Sequence, residues 1–217
     1  MKNIKDQKLF YVVLAILVIA VVLFILSPFQ EERKPEKAFT PYISAYTSGV
    51  ISKQSNIRIM LMQDLSKAKP DRKAPEDLFD FRPGIKGEAY WIDSRTIEFR
   101  PAGRLPSGKS FRGEFHLNKL LNVPGDMKTF VFNFQTIEQS YETEFKGLEA
   151  YDPQNLEYQK LLGVVTTADY TTGNDVKEML TVLQDGKELE VSWRHSPEGQ
   201  KHKFVADSVI RKEEKAT

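Results

Sequence analysis

The apolar positions of this chain follow two regimes. From Leu9 to Leu26 they are continuous: LFYVVLAILVIAVVLFIL, eighteen residues without a charge. From Ala38 onward they alternate with polar residues. A helix of eighteen residues spans roughly 27 Å, close to the ~30 Å hydrocarbon core of a bilayer. It also pairs its own backbone groups where no water can. A soluble helix of this composition would be apolar on every side and would need complete burial. A cleaved signal peptide has an apolar region of ~7–15 residues followed by small residues. Ser27-Pro28-Phe29-Gln30 offers no such site. The pattern predicts an uncleaved signal anchor over residues 9–27, with Leu9, Phe10, Leu14, Leu17, Val21, Phe24 and Leu26 as membrane-anchor residues.

The alternating stretches predict strands with one buried face. Ile57, Ile59 and Leu61 share a face. So do Ile97 and Phe99; Phe111, Gly113, Phe115 and Leu117; and Phe130, Phe132 and Phe134. Shorter candidates are Thr40–Tyr46, Leu78–Arg82 and Lys86–Ile92, with Asp93-Ser94 as a hairpin turn. Seven strands within residues 38–137 fit an immunoglobulin-like sandwich. The basic loop Ser66–Pro75 reads as solvated and is the least structured part.

A second β module, residues 138–217, follows with almost no linker. Tyr141–Leu148, Lys160–Thr167, Leu180–Leu183, Leu189–Trp193 and Lys203–Ile210 are its strand candidates. Asp185-Gly186 predicts a type I′ turn, which needs positive φ at both residues. Asn174–Met179 predicts a short helix capped by Asn174. Five strands are too few to close a second sandwich, so this module reads as incomplete and the chain as part of something longer.

Charge and composition narrow the setting. Lys2, Lys5 and Lys8 precede the apolar run, and Arg33, Lys34 and Lys37 follow it. The count is tied, but the upstream lysines stand close to the run on a short tail, and the downstream mass is large. Residues 1–8 are therefore assigned to the cytoplasm, 28–37 to a polar stalk, and the β modules to the outside. The absence of cysteine excludes disulfides, thiolate metal sites and a cysteine nucleophile. A net charge of +1, with no basic stripe carrying interleaved aromatics, gives no reason to expect nucleic acid.

Little chemistry stands out. Gly103-Arg104-Leu105-Pro106-Ser107-Gly108-Lys109-Ser110 matches the phosphate-loop spelling. That motif needs a following helix whose first amides hold phosphate, and Phe111–Leu117 alternates like a strand. No nucleotide or other cofactor is expected. His195 and His202 flank the turn Ser196–Gly199 and could face each other across a hairpin, but two imidazoles do not make a zinc site. His116 lies on the polar face of its strand. Trp91 and Trp193 read as core, and Glu142 and Glu144 as a solvated face. No catalytic set is assigned.

Phe39-Thr40-Pro41, Tyr46–Ser52, Ile57-Arg58-Ile59, Phe81–Gly87, Trp91–Phe99 and Leu105–Phe111 give the first module a wording that resembles the N-terminal region of bacterial alpha-2-macroglobulin-like proteins. The resemblance continues through Lys128-Thr129-Phe130, Gly147-Leu148, Tyr151-Asp152 and Gly163–Asp169. It implies an all-β chain of tandem Ig-like or macroglobulin-like β-sandwich domains after one N-terminal transmembrane helix. It also implies an inner-membrane, single-pass protein with its C-terminal part in the periplasm. Full-length members of that family trap proteases, which would be the parent's targets, through further macroglobulin domains absent here. The thioester motif is absent with the cysteines, and the apolar helix stands where relatives often use a lipid. The expected role is thus a non-enzymatic, membrane-anchored scaffold. The alternative is a stand-alone, membrane-tethered Ig-like binding or adhesion module.

Overall fold

A computed structural model describes residues 36–212. A 3-10 turn at Glu36–Phe39 leads into eight strands: β1 Ile43–Tyr46, β2 Gly49–Ile51, β3 Ile57–Leu61, β4 Phe79–Arg82, β5 Gly87–Trp91, β6 Thr96–Pro101, β7 Ser110–His116 and β8 Thr129–Thr136. They form two four-stranded sheets, ordered β1-β3-β6-β5 and β2-β8-β7-β4. All pairs are antiparallel except β2 with β8, which run parallel.

The alternating residues set the core between these sheets. Ile57, Ile59, Ile97 and Phe115 are wholly buried, and Phe81, Phe99, Phe130 and Phe132 nearly so. Phe81 and Phe99, from opposite sheets, meet at 4.8 Å with a 57° tilt. Each such side chain contributes about 1.5–3 kcal/mol by leaving water. That is how a domain without disulfides is held.

Two expectations for this domain need correction. There are eight strands rather than seven, because the three-residue β2 is too short to alternate. The loop Ser66–Pro75 is also more ordered than its charge suggested. Lys73 bridges to Tyr90, the Ala74 amide donates to the Ala89 carbonyl at 2.8 Å, and Ala74 is buried. Its last residues extend the sheet beside β5.

The second domain contains β9 Tyr141–Asp152, β10 Asn155–Thr167, α1 Gly173–Lys177, β11 Leu183–Gln184, β12 Lys187–Glu188, β13 Val191–His195 and β14 Lys201–Ile210. Among the described residues it has six strands rather than five, in one four-stranded sheet, β13-β14-β10-β9, and one two-stranded hairpin, β11-β12. At the hairpin turn Asp185 and Gly186 both take positive φ, 52° and 75°, as the type I′ reading requires. The helix begins two residues earlier than expected. Thr172, not Asn174, is its cap: the Thr172 hydroxyl accepts from the Asp175 amide while the Asp175 carboxylate accepts from the Thr172 amide. This reciprocal box satisfies two end donors, whereas Asn174 offers none.

The core here is small. Val165, Val176 and Phe204 are buried, with Leu180, Val182, Val191 and Trp193 packed around them. The α1–β12 segment therefore covers the sheet on the β13-β14 side.

The anchor residues Leu9, Phe10, Leu14, Leu17, Val21, Phe24 and Leu26 lie outside the described residues, as does most of the stalk. Among the described residues no helix is long and apolar enough to cross a membrane.

Candidate functional site

The residues singled out in the sequence go to several separate places. Gly103–Ser110 forms a turn that enters β7, so the strand–loop–helix context of a phosphate loop is replaced by strand. Its members serve elsewhere. The Ser107 hydroxyl accepts from the Gln139 amide at 2.7 Å and donates to the Ile137 carbonyl at 3.0 Å. The Arg104 guanidinium lies 4.5 Å from the centre of the Tyr170 ring. Both contacts join the first domain to the start of the second.

His195 and His202 do face each other, as directly paired residues of β13 and β14, with their Nδ1 atoms 2.9 Å apart. His116 is remote from them and pairs through Nε2 with the Asp80 carboxylate at 2.8 Å. No group of three or more metal-ligating side chains occurs among the described residues. Trp91 is buried in the first core. Trp193 is half-buried, against Phe204 at 5.5 Å. Glu142 and Glu144 are exposed on β9.

Sequence reading missed the junction that these contacts surround. Asp169 is 2% exposed and is the centre of it. Its carboxylate accepts from the Ser52 hydroxyl at 2.6 Å, from the Lys53 amide at 2.7 Å and from its neighbour Tyr170's amide at 2.8 Å. Burial pushes this carboxyl up, but the three hydrogen bonds outweigh that effect and hold it below the usual aspartate range. Gln139 adds a second tie: its side-chain amide donates to the Thr171 hydroxyl at 2.6 Å and to the Asp169 carbonyl at 3.3 Å. Thr167, also buried, donates to the same carbonyl at 2.9 Å. No local signal could reveal this. Ser52 and Asp169 stand 117 positions apart, and each is an ordinary polar residue in its own segment.

The other unusual surface is β9. It is an edge strand, and it carries Tyr141, Phe145 and Leu148 at 59%, 62% and 57% exposure. Phe145 and Leu148 pair directly with Gly163 and Leu161. They therefore stand on the same face as Val165, beyond the part of the sheet that α1 covers.

No family model and no curated protein is similar to the chain. Among solved structures, an L,D-transpeptidase from Mycobacterium tuberculosis H37Rv is similar at a TM-score of 0.33 and 11% identity, over 73% of this chain and 61% of that one. L,D-transpeptidase 3 from Mycobacterium tuberculosis, in complex with a faropenem-derived adduct, is similar at a TM-score of 0.33 and 10% identity, over 75% of this chain and 60% of that one. The chain thus spans about three-fifths of those proteins' length. Likeness at this level decides neither ancestry nor activity.

Proposed function

We propose that the chain is a non-enzymatic, membrane-anchored scaffold. The apolar run holds it in the bilayer, and the two β domains act as one stiff spacer on the periplasmic side. Its parent would be a protein resembling bacterial alpha-2-macroglobulins, with proteases as its targets. The observation that carries this reading is the Asp169 junction. A flexible linker would let the second domain swing, whereas a buried carboxylate that accepts from Ser52 and Lys53 of the first domain resists bending, since losing those two bonds strands the buried acceptor.

The absence of cysteine makes a direct test simple. Spin labels placed at Arg95→Cys and Gln154→Cys in the full-length chain report the distance between the domains. A single narrow distribution is expected, and a broad one would overturn the spacer role. A phosphatase active only outside the cytoplasm, fused after Thr217, is expected to be active. A silent fusion would overturn the orientation. Mixed with proteases, the chain is expected to give them no protection from large inhibitors, because a spacer encloses nothing.

A stand-alone binding or adhesion module is the second reading; it needs a closed second domain, whereas the open, partly apolar edge at β9 favours the scaffold, since an uncovered edge invites aggregation in a finished protein.

A further inference from the structure

We propose that β9 is a docking edge for an extended segment of another polypeptide, one in which basic and apolar residues alternate. This goes beyond the spacer role and does not depend on it.

The first observation is the unpaired backbone. β9 is twelve residues long, and among the described residues β10 is the only strand whose backbone pairs with it. Just before it, the Ala168 amide donates to the Ser140 carbonyl. Bonded and non-bonded pairs alternate along an antiparallel ladder. The backbone groups of Tyr141, Thr143 and Phe145 therefore point away from β10, towards the free edge. An incoming strand can bond to them without displacing any described strand.

The second observation is what stands on each face. Phe145 and Leu148 form an apolar pair on the α1 side, more than half exposed. Glu142, Glu144 and Glu149 stand on the opposite face, paired with Thr166, Val164 and Lys160 of β10. Lys146 and Gly147 absorb the register shift between these halves, Gly147 at φ 124°, so the alternation of faces survives the bulge. A strand laid beside β9 meets carboxylates on one face and apolar side chains on the other.

The charge decides among occupants. β9 carries Glu142, Glu144, Glu149 and Asp152 against a single lysine, Lys146. That lysine is already held by Glu144 at 2.5 Å. Two copies of β9 would bring these carboxylates together, and like charges across a strand pair are unfavourable. A second copy is therefore a poor occupant. A segment with lysine or arginine at every second position satisfies the acidic face and places its apolar residues beside Phe145 and Leu148.

The test uses the full-length chain in uncharged detergent micelles and two fluorescent peptides, Lys-Val-Lys-Val-Thr-Val-Lys-Val and its counterpart with glutamate for lysine. Anisotropy is expected to show binding of the basic peptide alone, weakening at least tenfold from 50 to 300 mM salt. Hydrogen exchange at Tyr141, Thr143 and Phe145 is expected to slow at least tenfold in the complex. The surface double variant E142K/E149K, which leaves the backbone edge intact, is expected to bind at least tenfold more weakly in the same micelles. T143P removes one outward amide and is expected to lose binding with its circular dichroism unchanged. No binding at 1 mM basic peptide overturns the proposal. So does equal binding of the acidic peptide, or E142K/E149K binding as the parent does. Sedimentation showing a dimer that protects the β9 amides overturns it in favour of a second copy.

Discussion

His195 and His202 share a hydrogen bond between their Nδ1 atoms, 2.9 Å apart, across the β13-β14 pair. One ring must donate and the other accept, so the bond is lost when both are protonated. His202 is wholly buried, and a hydrogen bond with the Gly199 backbone only partly offsets that burial. Burial first, and the neighbouring His195 second, hold its pKa below the usual 6.5. The unfolded chain therefore binds a proton at higher pH than the folded one. Stability from this group is fully present above about pH 6.5 and falls as pH drops through the lower folded value. The melting temperature of the β domains is expected to decline between pH 7 and 5, and His202→Leu to flatten that slope. A variant curve parallel to the parent's would show that His202 does not carry the effect.

Asp169 titrates in a lower window. Its folded pKa lies below the ordinary 3.8, so its contribution is present above that value and lost as pH falls through the folded one. Asp169→Ala leaves the part-buried amides of Lys53 and Tyr170 without their acceptor, at a cost of about 1–3 kcal/mol. Urea unfolding at pH 7 is expected to show that loss. The spin-label distance between the domains is expected to broaden in the same variant. Ser52→Ala removes one donor and keeps the other two, so a smaller loss is expected.

Glu98 allows a contrast between two kinds of loss. Its side chain is 4% exposed, with Arg58 Nε at 2.6 Å and Arg100 Nε at 2.8 Å. Burial raises its pKa, but hydrogen bonds from Arg100 and Arg58 bring the net value below normal. Glu98→Gln leaves two arginines that still reach water, since their side chains are 42% and 62% exposed. The double change R58M/R100M keeps the apolar cover but strands the carboxylate, at about 3–5 kcal/mol. The double variant is expected to unfold at much lower urea than Glu98→Gln at pH 7. It is also expected to recover part of the difference as pH falls, because its raised folded pKa then favours the protonated acid.

Alternation made most strands legible, and for a physical reason. Phe130, Phe132 and Phe134 each cross to the same side because the side-chain period of a strand is two. The rule fails where that period is not sampled or not used. Gly49–Ile51 is too short to show it, and it is stabilised by a parallel pairing with residues 134–136. Tyr141 and Phe145 keep the period, and Leu148 rejoins their face after the bulge, yet all three remain exposed, because pattern reports which face a side chain takes and not what covers it. Glu98 is buried on the outer face of its sheet by two arginines that come from different strands. The Asp169 junction depends on contacts across more than a hundred residues, which no local window can contain. The phosphate-loop spelling shows the converse: an exact local match whose residues are used for a domain contact.

Glycine inside a strand was the one break in the Phe111–Leu117 pattern, and packing accounts for it. Gly113 pairs directly with Phe132, and a Cβ on it would lie 2.3 Å from the Phe132 ring. The same arrangement recurs in the second domain, where a Cβ on Gly163 would lie 2.3 Å from the ring of its partner Phe204. In each case the ring lies across the glycine backbone, filling the space that a side chain would take. Gly113→Ala must push Phe132 out of a core where it also meets Tyr46, Phe81, Phe130 and Phe134. Overpacking of this kind costs about 1–3 kcal/mol, although alanine is the better strand residue in isolation. Urea unfolding is expected to show destabilisation in Gly113→Ala, and partial recovery in the double variant G113A/F132L, whose smaller side chain relieves the clash. If Gly113→Ala proves neutral, the ring is free to move and the pairing does not explain the glycine.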